Sequence, residues 1–597
     1  MLINKTDTNR PRLLGTTTDD SNPTGEQMCY FIKPSGIVRK SAETVKQQPP
    51  AVKTSNWLNR FNRGFWLGLI WLCLSWTIFP SLGGGGFDLG QLQLPVASAQ
   101  TSNWPELLSN PVGFEGGIRN EQTYQEVVLI TGQPIIVSGE LKFSGGRSRG
   151  EVTTQTYSYK LENPAAGLKL TRSLTLEVTE QEQNGQTFQV TGLKNFSETI
   201  TIGTGRQRDT YKLVKDGYQF HQSAVIDHRP AVDYFSGNWN ARKTYEINRG
   251  EGTVTLDIKG EAVGYNHHWG STETRQVDYY LSYDRQAPAV APGDEDEEPP
   301  GPTIWDGTAR LQVSFNRTKD LNYILNDPVP ISFRGGYLQT EQEENILQYH
   351  YNLPYFDSDG NIIPHWRNEA TENLKLFTVP RQERLPVFTM KDLRGHWAEE
   401  QISRLISVGA FSSTQANFGP GLPMTRSGFA RAIVELTKMQ PPADPNTTRS
   451  ARRSRVTETL TSPFADVPQT HPDLAAIVEV ERRGLFTGTG QGLFLPEGWL
   501  TRAQAVTIMV RALGFEGLAP NPSYRIVAFH DDAAIPVWAK DAVYVASQLG
   551  LVSGTQGYFH PEEPLTRAEA AVLLDRFREY LQTDLKYDYR DKIINQY

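Results

Sequence analysis

The chain has 597 residues, material for roughly four domains at about 150 residues each, so its cores need no disulfide support. With 38% apolar residues, 51 Gly and 37 Pro, it reads as a folded, turn-rich chain rather than a disordered or coiled-coil one. Fifty-nine Lys and Arg stand against 67 Asp and Glu, a net charge of −8, and the only cysteines are Cys29 and Cys73; this gives no support for nucleic-acid binding and excludes a disulfide framework or a Cys-rich zinc site.

Residues 1–99 read as an address. Arg60 and Arg63 precede the uncharged run 65–79, and Pro80 with Gly83 to Gly86 ends it. Fifteen residues suit a signal-peptide core better than a spanning helix. Ala97-Ser98-Ala99 supplies the small residues of a cleavage site after residue 99. The alternative is an uncleaved membrane anchor over 65–82, the only membrane contact expected. Cleavage removes ten Lys/Arg and six Asp/Glu, leaving 49 basic and 61 acidic residues, net −12, and no cysteine. Exported chains often avoid free thiols, so composition and signal agree on an extracytoplasmic location.

Residues 100–385 alternate with period two, the mark of half-buried strands. Leu174, Leu176 and Val178 lead through Asn184-Gly185 to Phe188 and Val190, the pattern of a hairpin. Tyr211 and Leu213, then Asp216-Gly217, then Tyr218 and Phe220 predict a second hairpin. Tyr245 and Ile247 with the Gly250/Gly252 turn and Val254, Leu256 and Ile258 predict a third, and alternating runs follow at Val277–Tyr283 and Leu311–Phe315. So many short-spaced strands predict an all-β, sandwich-like region. The acidic, proline-flanked stretch 287–302 is a solvated loop, or a linker dividing two β domains.

This region shows no nucleophile elbow, phosphate loop or zinc-type His pair, so no catalytic residue, metal ligand or cofactor is assigned. His267-His268 reads as strand or loop, and Asp357-Ser358-Asp359-Gly360-Asn361 as a polar turn rather than half of a calcium loop. Trp239, Trp269 and the tyrosines fit either sugar stacking or a sheet core.

The last third repeats itself. Thr425, Thr501 and Thr566 each precede an arginine; Phe418, Phe494 and Phe559 lie seven residues earlier, each followed two residues on by Pro420, Pro496 or Pro561. Upstream stand Asp392, Asp466 and Asp531, 33, 35 and 35 residues before their threonines. Gly484/Gly488 and Gly550/Gly554 form G-x-x-x-G turns; the first copy keeps Gly409 but has Ser413 in second place. Such self-similarity marks stacked units. Each copy reads helix, loop, helix. Ile402, Leu405 and Ile406, then Leu474, Ile477 and Val478, then Ala542, Val545 and Leu549 mark the first helices. Thr501 with Gln504 and Thr566 with Glu569 are capping boxes opening the second; Gly428 weakens that cap in the first copy.

Arg426, Arg502 and Arg567 fall at the first helical position, where the helix dipole disfavours a cation. Three such charges ask for an anion. Either the recurring Asp392, Asp466 and Asp531 supply it internally, or a ligand carboxylate or phosphate does.

These motifs resemble the S-layer homology (SLH) domain family, over 386–440, 460–518 and 519–583, with a basic linker at 441–459 holding Arg449, Arg452, Arg453 and Arg455 and a polar tail at 584–597. The resemblance implies an all-α bundle of three modules that anchors an exported protein non-covalently to cell-wall polysaccharide or a peptidoglycan-linked polymer, often pyruvylated. The pyruvate carboxylate would be the anion. By position the family's groove residues fall on Arg426, Arg502, Arg567, Trp397, Trp538, Asp392, Asp466, Asp531, Gly484, Gly488, Gly550 and Gly554. The second copy has Leu474-Ala475 where Trp-Ala is expected, so unequal grooves are expected, the third copy's closest to pattern. The reading is therefore a wall-anchored surface protein displaying a β-rich region. The alternative is an SLH-anchored enzyme acting on polysaccharide, with its active site in the β region. An outer-membrane barrel fits poorly, because the chain ends in a polar segment and the hairpins lack a consistent apolar band.

Overall fold

The computed structural model describes residues 116–149, 152–204, 207–286, 303–324, 336–358, 361–439, 461–489, 491–521 and 529–589. The address segment with both cysteines, the acidic stretch 287–302, the basic linker 441–459 and Asp359-Gly360 lie outside them. Among the described residues no helix is long and apolar enough to cross a membrane.

Among the described residues fourteen strands form one sheet. They are β1 (Ile118–Arg119), β2 (Tyr124–Val128), β3 (Ile135–Arg149), β4 (Val152–Asn163), β5 (Leu168–Gln183), β6 (Gln186–Thr204) and β7 (Gln207–His228), followed by β8 (Asp233–Ile247), β9 (Gly252–His267), β10 (Gly270–Arg285), β11 (Thr303–Ile324), β12 (Gly336–Phe356), β13 (Ile362–Phe377) and β14 (Arg381–Arg384). β1 to β13 pair antiparallel in chain order, and β14 pairs with β12. The sheet curls until its ends meet: Asn345 Nδ2 donates to the Arg119 carbonyl at 2.5 Å, and the Val379 amide to Glu121 Oε1 at 2.8 Å.

This corrects the sandwich-like expectation. A sandwich divides its strands between two sheets, whereas here β1 to β13 each pair with their chain neighbours and one nearly closed barrel results. β10 and β11 pair along their whole length, Arg285 opposite Thr303 and Gly270 opposite Thr318, so the acidic stretch joins two strands of one sheet. Asp216-Gly217 does not turn a hairpin either. It lies in a bulge within β7, between Leu213 and Tyr218, with Asp216 at φ 59°. A Cβ on Gly217 would come within 2.8 Å of the Thr244 carbonyl, so glycine lets the bulged chain stay against β8.

Burial alternates as the sequence pattern requires. On β5, Leu168, Leu170, Leu174, Leu176 and Val178 are buried while Lys169, Thr171 and Ser173 face outward. An apolar inside and a polar outside reverse the distribution of a membrane barrel. Within this core sits an ionised network. Arg172 donates both Nη atoms to Glu126 at 2.8 Å and Nε to Glu198 at 2.6 Å. Lys243 Nζ reaches Glu198 at 3.2 Å, and the Tyr245 and Tyr124 hydroxyls donate to Glu198 and Glu126 at 2.8 Å. Two cations and two carboxylates, all buried, balance one another. Burial pushes the Glu198 carboxyl up, but Arg172 and Lys243 outweigh it and hold the pKa at about 2.

The C-terminal part carries helices α1 (Glu399–Ser407), α2 (Arg426–Thr437), α3 (Leu474–Arg482), α4 (Arg502–Leu513), α5 (Val537–Gln548) and α6 (Arg567–Glu579). After α6 a π-helical turn (Tyr580–Asp584) leads into α7 (Leu585–Asp588). Long loops holding isolated β-bridges join them, so the region is a few short helices laced by loops rather than all helix. The faces expected from periodicity are buried, among them Ile402, Leu405 and Ile406, except that Val478 and Leu549 are partly buried.

Barrel and helices share one core. Ala231, Val232, Tyr265 and Trp269 pack with the helical residues. Trp269 Nε1 donates to the Leu436 carbonyl at 2.9 Å, the Ala231 amide to Ala512 at 2.9 Å, and Arg483 Nη1 to Pro230 at 2.8 Å. The expected polar tail begins inside this junction: Leu585 and Tyr589 are buried, and the Tyr589 hydroxyl donates to the Gly264 carbonyl at 3.0 Å.

Replacing Arg172 with alanine should destabilise the protein by about 3–5 kcal/mol in urea, because it strands two buried carboxylates. Glu198 ionises below its unfolded value of 4.5. Its stabilisation is thus complete above about pH 4.5 and is lost as pH falls toward 2, which acid titration of the unfolding midpoint measures.

Candidate functional site

The three copies exchange backbone hydrogen bonds in a closed ring. Met424 N donates to the Leu565 carbonyl at 2.7 Å, Leu565 N to Leu500 at 2.9 Å, and Leu500 N back to Met424 at 2.9 Å. The helix starts repeat the exchange in the other sense. Arg426 N and Ser427 N donate to the carbonyls of Gly498 and Pro496, Arg502 N and Ala503 N to Glu563 and Pro561, and Arg567 N and Ala568 N to Leu422 and Pro420. The first two amides of α2, α4 and α6, which a helix leaves unpaired, are satisfied by the neighbouring copy's Phe-x-Pro loop. Thr501 and Thr566 complete capping boxes, while Thr425 makes only the bond from the Gly428 amide, as Gly428 predicts.

The recurring aspartates shape those loops. Asp392 accepts from the amides of Phe418 and Gly419 at 2.8 and 2.6 Å, Asp466 from Phe494 and Leu495 at 2.8 and 2.7 Å, and Asp531 from Phe559 and His560 at 2.8 and 2.7 Å. The second residue of each pair is left-handed: Gly419 at φ 72°, Leu495 and His560 at 56°. Burial disfavours the charged carboxylates, but the two amides outweigh it and hold all three below the usual range. Their anionic charge serves the backbone and makes no hydrogen-bonded pair with the motif arginines among the described residues.

The arginines instead reach the next copy, each differently. Arg426 is buried; its Nε donates to the Phe494 carbonyl at 2.8 Å, and its guanidinium lies 5.1 and 5.4 Å from the Phe494 and Phe486 rings. Arg502 pairs with Glu569 at 2.6 Å. Arg567 stacks 4.5 Å over Phe418, and its Nε has no hydrogen-bond partner among the described residues. Burial, then nearby Arg431, press against its charge, while Asp392 favours it. Among the described residues neither Arg426 nor Arg567 has a paired carboxylate: Arg426 has ring faces and a carbonyl, Arg567 a ring face alone.

Gly484 and Gly550 are left-handed residues that end α3 and α5, as Gly409 ends α1. Gly488 and Gly554 lie under close contacts: a Cβ would come within 2.7 Å of the Leu493 and Tyr558 carbonyls. These positions are fixed by chain reversal and packing. Trp397 and Trp538 are 66% and 54% exposed. Counting back from the helix-ending glycines corrects the second copy. Trp397 stands twelve residues before Gly409 and Trp538 twelve before Gly550, and the position twelve before Gly484 is Pro472, not Leu474. Leu474 is the buried first residue of α3. Sequence reasoning missed Trp499, 62% exposed, whose bridge to Thr425 sets it beside the start of α2. Its only signal was an aromatic two residues before the Thr-Arg pair.

Elsewhere Trp239 and Trp269 are core residues, 2% and 1% exposed. His267 is buried, stacked on Tyr265, and burial pushes its pKa well down, so it is a neutral residue at the end of β9. A cleft of about 860 Å³ opens at the barrel seam, lined by Glu121, Glu140, Glu341 and Glu343 together with Arg119 and Arg381.

The S-layer homology domain profile matches residues 463–506 and 528–571, the second and third copies. S-layer protein EA1 of Bacillus anthracis is 26% identical over 198 residues, 33% of this chain and 20% of that protein. The S-layer protein of Bacillus licheniformis is 27% identical over 194 residues, 32% and 19% of the two chains. Exoglucanase XynX of Acetivibrio thermocellus is 27% identical over 227 residues, 37% and 19%. The chain thus spans about a fifth of the length of these relatives. Its second and third copies carry the S-layer homology domain that the profile describes. The first copy, outside the profile matches, occupies the third place in the same hydrogen-bond ring.

Asp531→Ala should lower stability by about 2–3 kcal/mol, since two amides lose a charged acceptor in a loop that must hold a left-handed residue. His560→Gly should leave the melting temperature unchanged or raise it, because glycine adopts that backbone freely. Thermal unfolding of both variants checks this.

Proposed function

We propose that the protein is exported, possesses three SLH modules, and is held to an anionic, pyruvylated cell-wall polysaccharide by the faces between its helical copies while displaying the barrel. The observation that carries this reading is Arg567, a cation stacked on Phe418 with no paired carboxylate among the described residues. A ligand carboxylate beside it would supply the missing charge, and a guanidinium suits that acceptor because it can donate two parallel bonds. Arg426 offers a second, more buried charge, and Trp397, Trp499 and Trp538 offer exposed faces for sugar rings. Arg502 is already neutralised by Glu569, so the three faces are unequal.

The enzymatic reading keeps one observation in its favour, the seam cleft with its four glutamates. Three are already engaged: Glu341 by Arg317 at 3.0 Å, Glu121 by the Val379 amide and Glu140 by Lys142 at 3.1 Å. If the cleft is catalytic, the mature protein releases reducing sugar from wall polysaccharide and Glu140→Gln or Glu343→Gln abolishes it; the anchoring reading expects no release.

Because helices and barrel share a core, the test uses the chain from residue 100 onward. It should sediment with purified sacculi and lose binding when pyruvate is removed chemically. Arg567→Ala should weaken binding roughly ten-fold, as expected for one charge-assisted contact, and Arg502→Ala much less. Equal binding to depyruvylated wall removes the pyruvate part of the proposal.

A further inference from the structure

The inner face of β13 is open. On its partner strand β12, Leu347, Tyr349 and Tyr351 point into the barrel and are buried. Directly opposite them stand Leu374, Glu372 and Ala370, which therefore point the same way. Glu372 accepts the Tyr349 hydroxyl hydrogen bond, as an inward residue should. Yet none of the three is buried: Glu372 is exposed, while Ala370 and Leu374 are half-buried and pack against the barrel core. Among the described residues β13 pairs only with β12, so it also ends the sheet. A half-apolar face on a terminal strand stays in water unless something covers it.

The chain itself arrives beside this face. Gly116, Gly117 and Ile118 are buried. A Cβ on Gly116 would collide with Leu311 Cδ2, and one on Gly117 with the Tyr124 hydroxyl, so this backbone lies directly on buried side chains of the barrel. Leu311, Tyr349 and Glu372 stand side by side on β11, β12 and β13. Two strand spacings, about 10 Å, separate the first from the last. Residues 112–115 are joined to Gly116, and four extended residues reach about 14 Å. They read Val112-Gly113-Phe114-Glu115. In an extended chain Val112 and Phe114 share one face.

We infer that residues 112–115 are a strap that covers the inner face of β13, laying Val112 and Phe114 against Ala370 and Leu374 and completing the barrel wall at its seam. Connectivity selects this occupant. The strap starts within reach of the open face, and being tethered it pays no association entropy, whereas a second copy or a free peptide would have to displace it. The gain is apolar surface removed from water on both sides of the contact. The first and the last strands of the barrel are thereby joined by a segment that precedes them both, so the wall closes only once β13 has been made.

The chain from residue 100 onward holds no cysteine, so introduced pairs report cleanly. Phe114→Cys combined with Ala370→Cys or with Leu374→Cys should oxidise to an intramolecular disulfide, whereas Phe114→Cys with the adjacent, outward Lys375→Cys should not. Hydrogen exchange read by mass spectrometry supplies a second measurement. Val112→Ser with Phe114→Ser should speed exchange over residues 366–377 by about ten-fold or more, and leave β7 to β9 unchanged. The proposal is overturned if neither inward pair oxidises, if the outward pair oxidises equally well, or if the serine variant exchanges over 366–377 at the parent's rate. It also fails if protection of 366–377 rises with protein concentration, which would make a second copy the occupant.

Discussion

The C-terminal region depends on one reciprocal exchange. Each second helix begins with amides that cannot be paired within the helix, and each Phe-x-Pro loop ends in carbonyls that its own copy does not use. Passing these bonds from copy to copy satisfies both, and only three copies close the circle through Met424, Leu500 and Leu565. The aspartates belong to the same device, since a loop must be bent left-handed at Gly419, Leu495 or His560 before its carbonyls point at the neighbour's helix. The arginines are then delivered across the copy boundary. Their local cost at a helix start is offset by a carbonyl and phenyl faces at Arg426, by Glu569 at Arg502 and by the Phe418 face at Arg567.

The barrel solves a different problem. A curled sheet of this size encloses a large interior, and Arg172, Glu126, Glu198 and Lys243 occupy part of it as a neutral ionic lattice. Such a lattice is weak as a source of stability but intolerant of losing one member. It links β2, β5, β6 and β8, strands that are not all neighbours, and so fixes how the sheet closes. The anchor-side end is sealed by Trp269, Tyr265 and the α6–α7 segment. Anchor and barrel therefore behave as one body rather than as beads on a tether.

Much of this was legible beforehand. The alternation of Leu174, Leu176 and Val178, the Asn184-Gly185 turn, the helix faces and both capping boxes are local, and each has the place its pattern predicts. Arg172 was a visible but unread signal, a charge in phase with the inward leucines 170 and 174. Asp216-Gly217 misled because a left-handed Asp followed by Gly suits a bulge as well as a hairpin. Trp397 and Trp538 have no second-copy counterpart at Leu474, because small length changes between Asp and helix shift the count, and the helix-ending glycine is the truer reference.

By itself the sequence determined the repeats, the strand and helix periods, the caps and the family likeness, because these depend on residues a few positions apart. Tertiary structure alone decided that one sheet closes into a barrel, that the aspartates bind backbone while Arg502 meets Glu569, and that barrel and helices share a core. Those outcomes depend on which surfaces meet across tens or hundreds of residues, and no local spacing encodes that meeting.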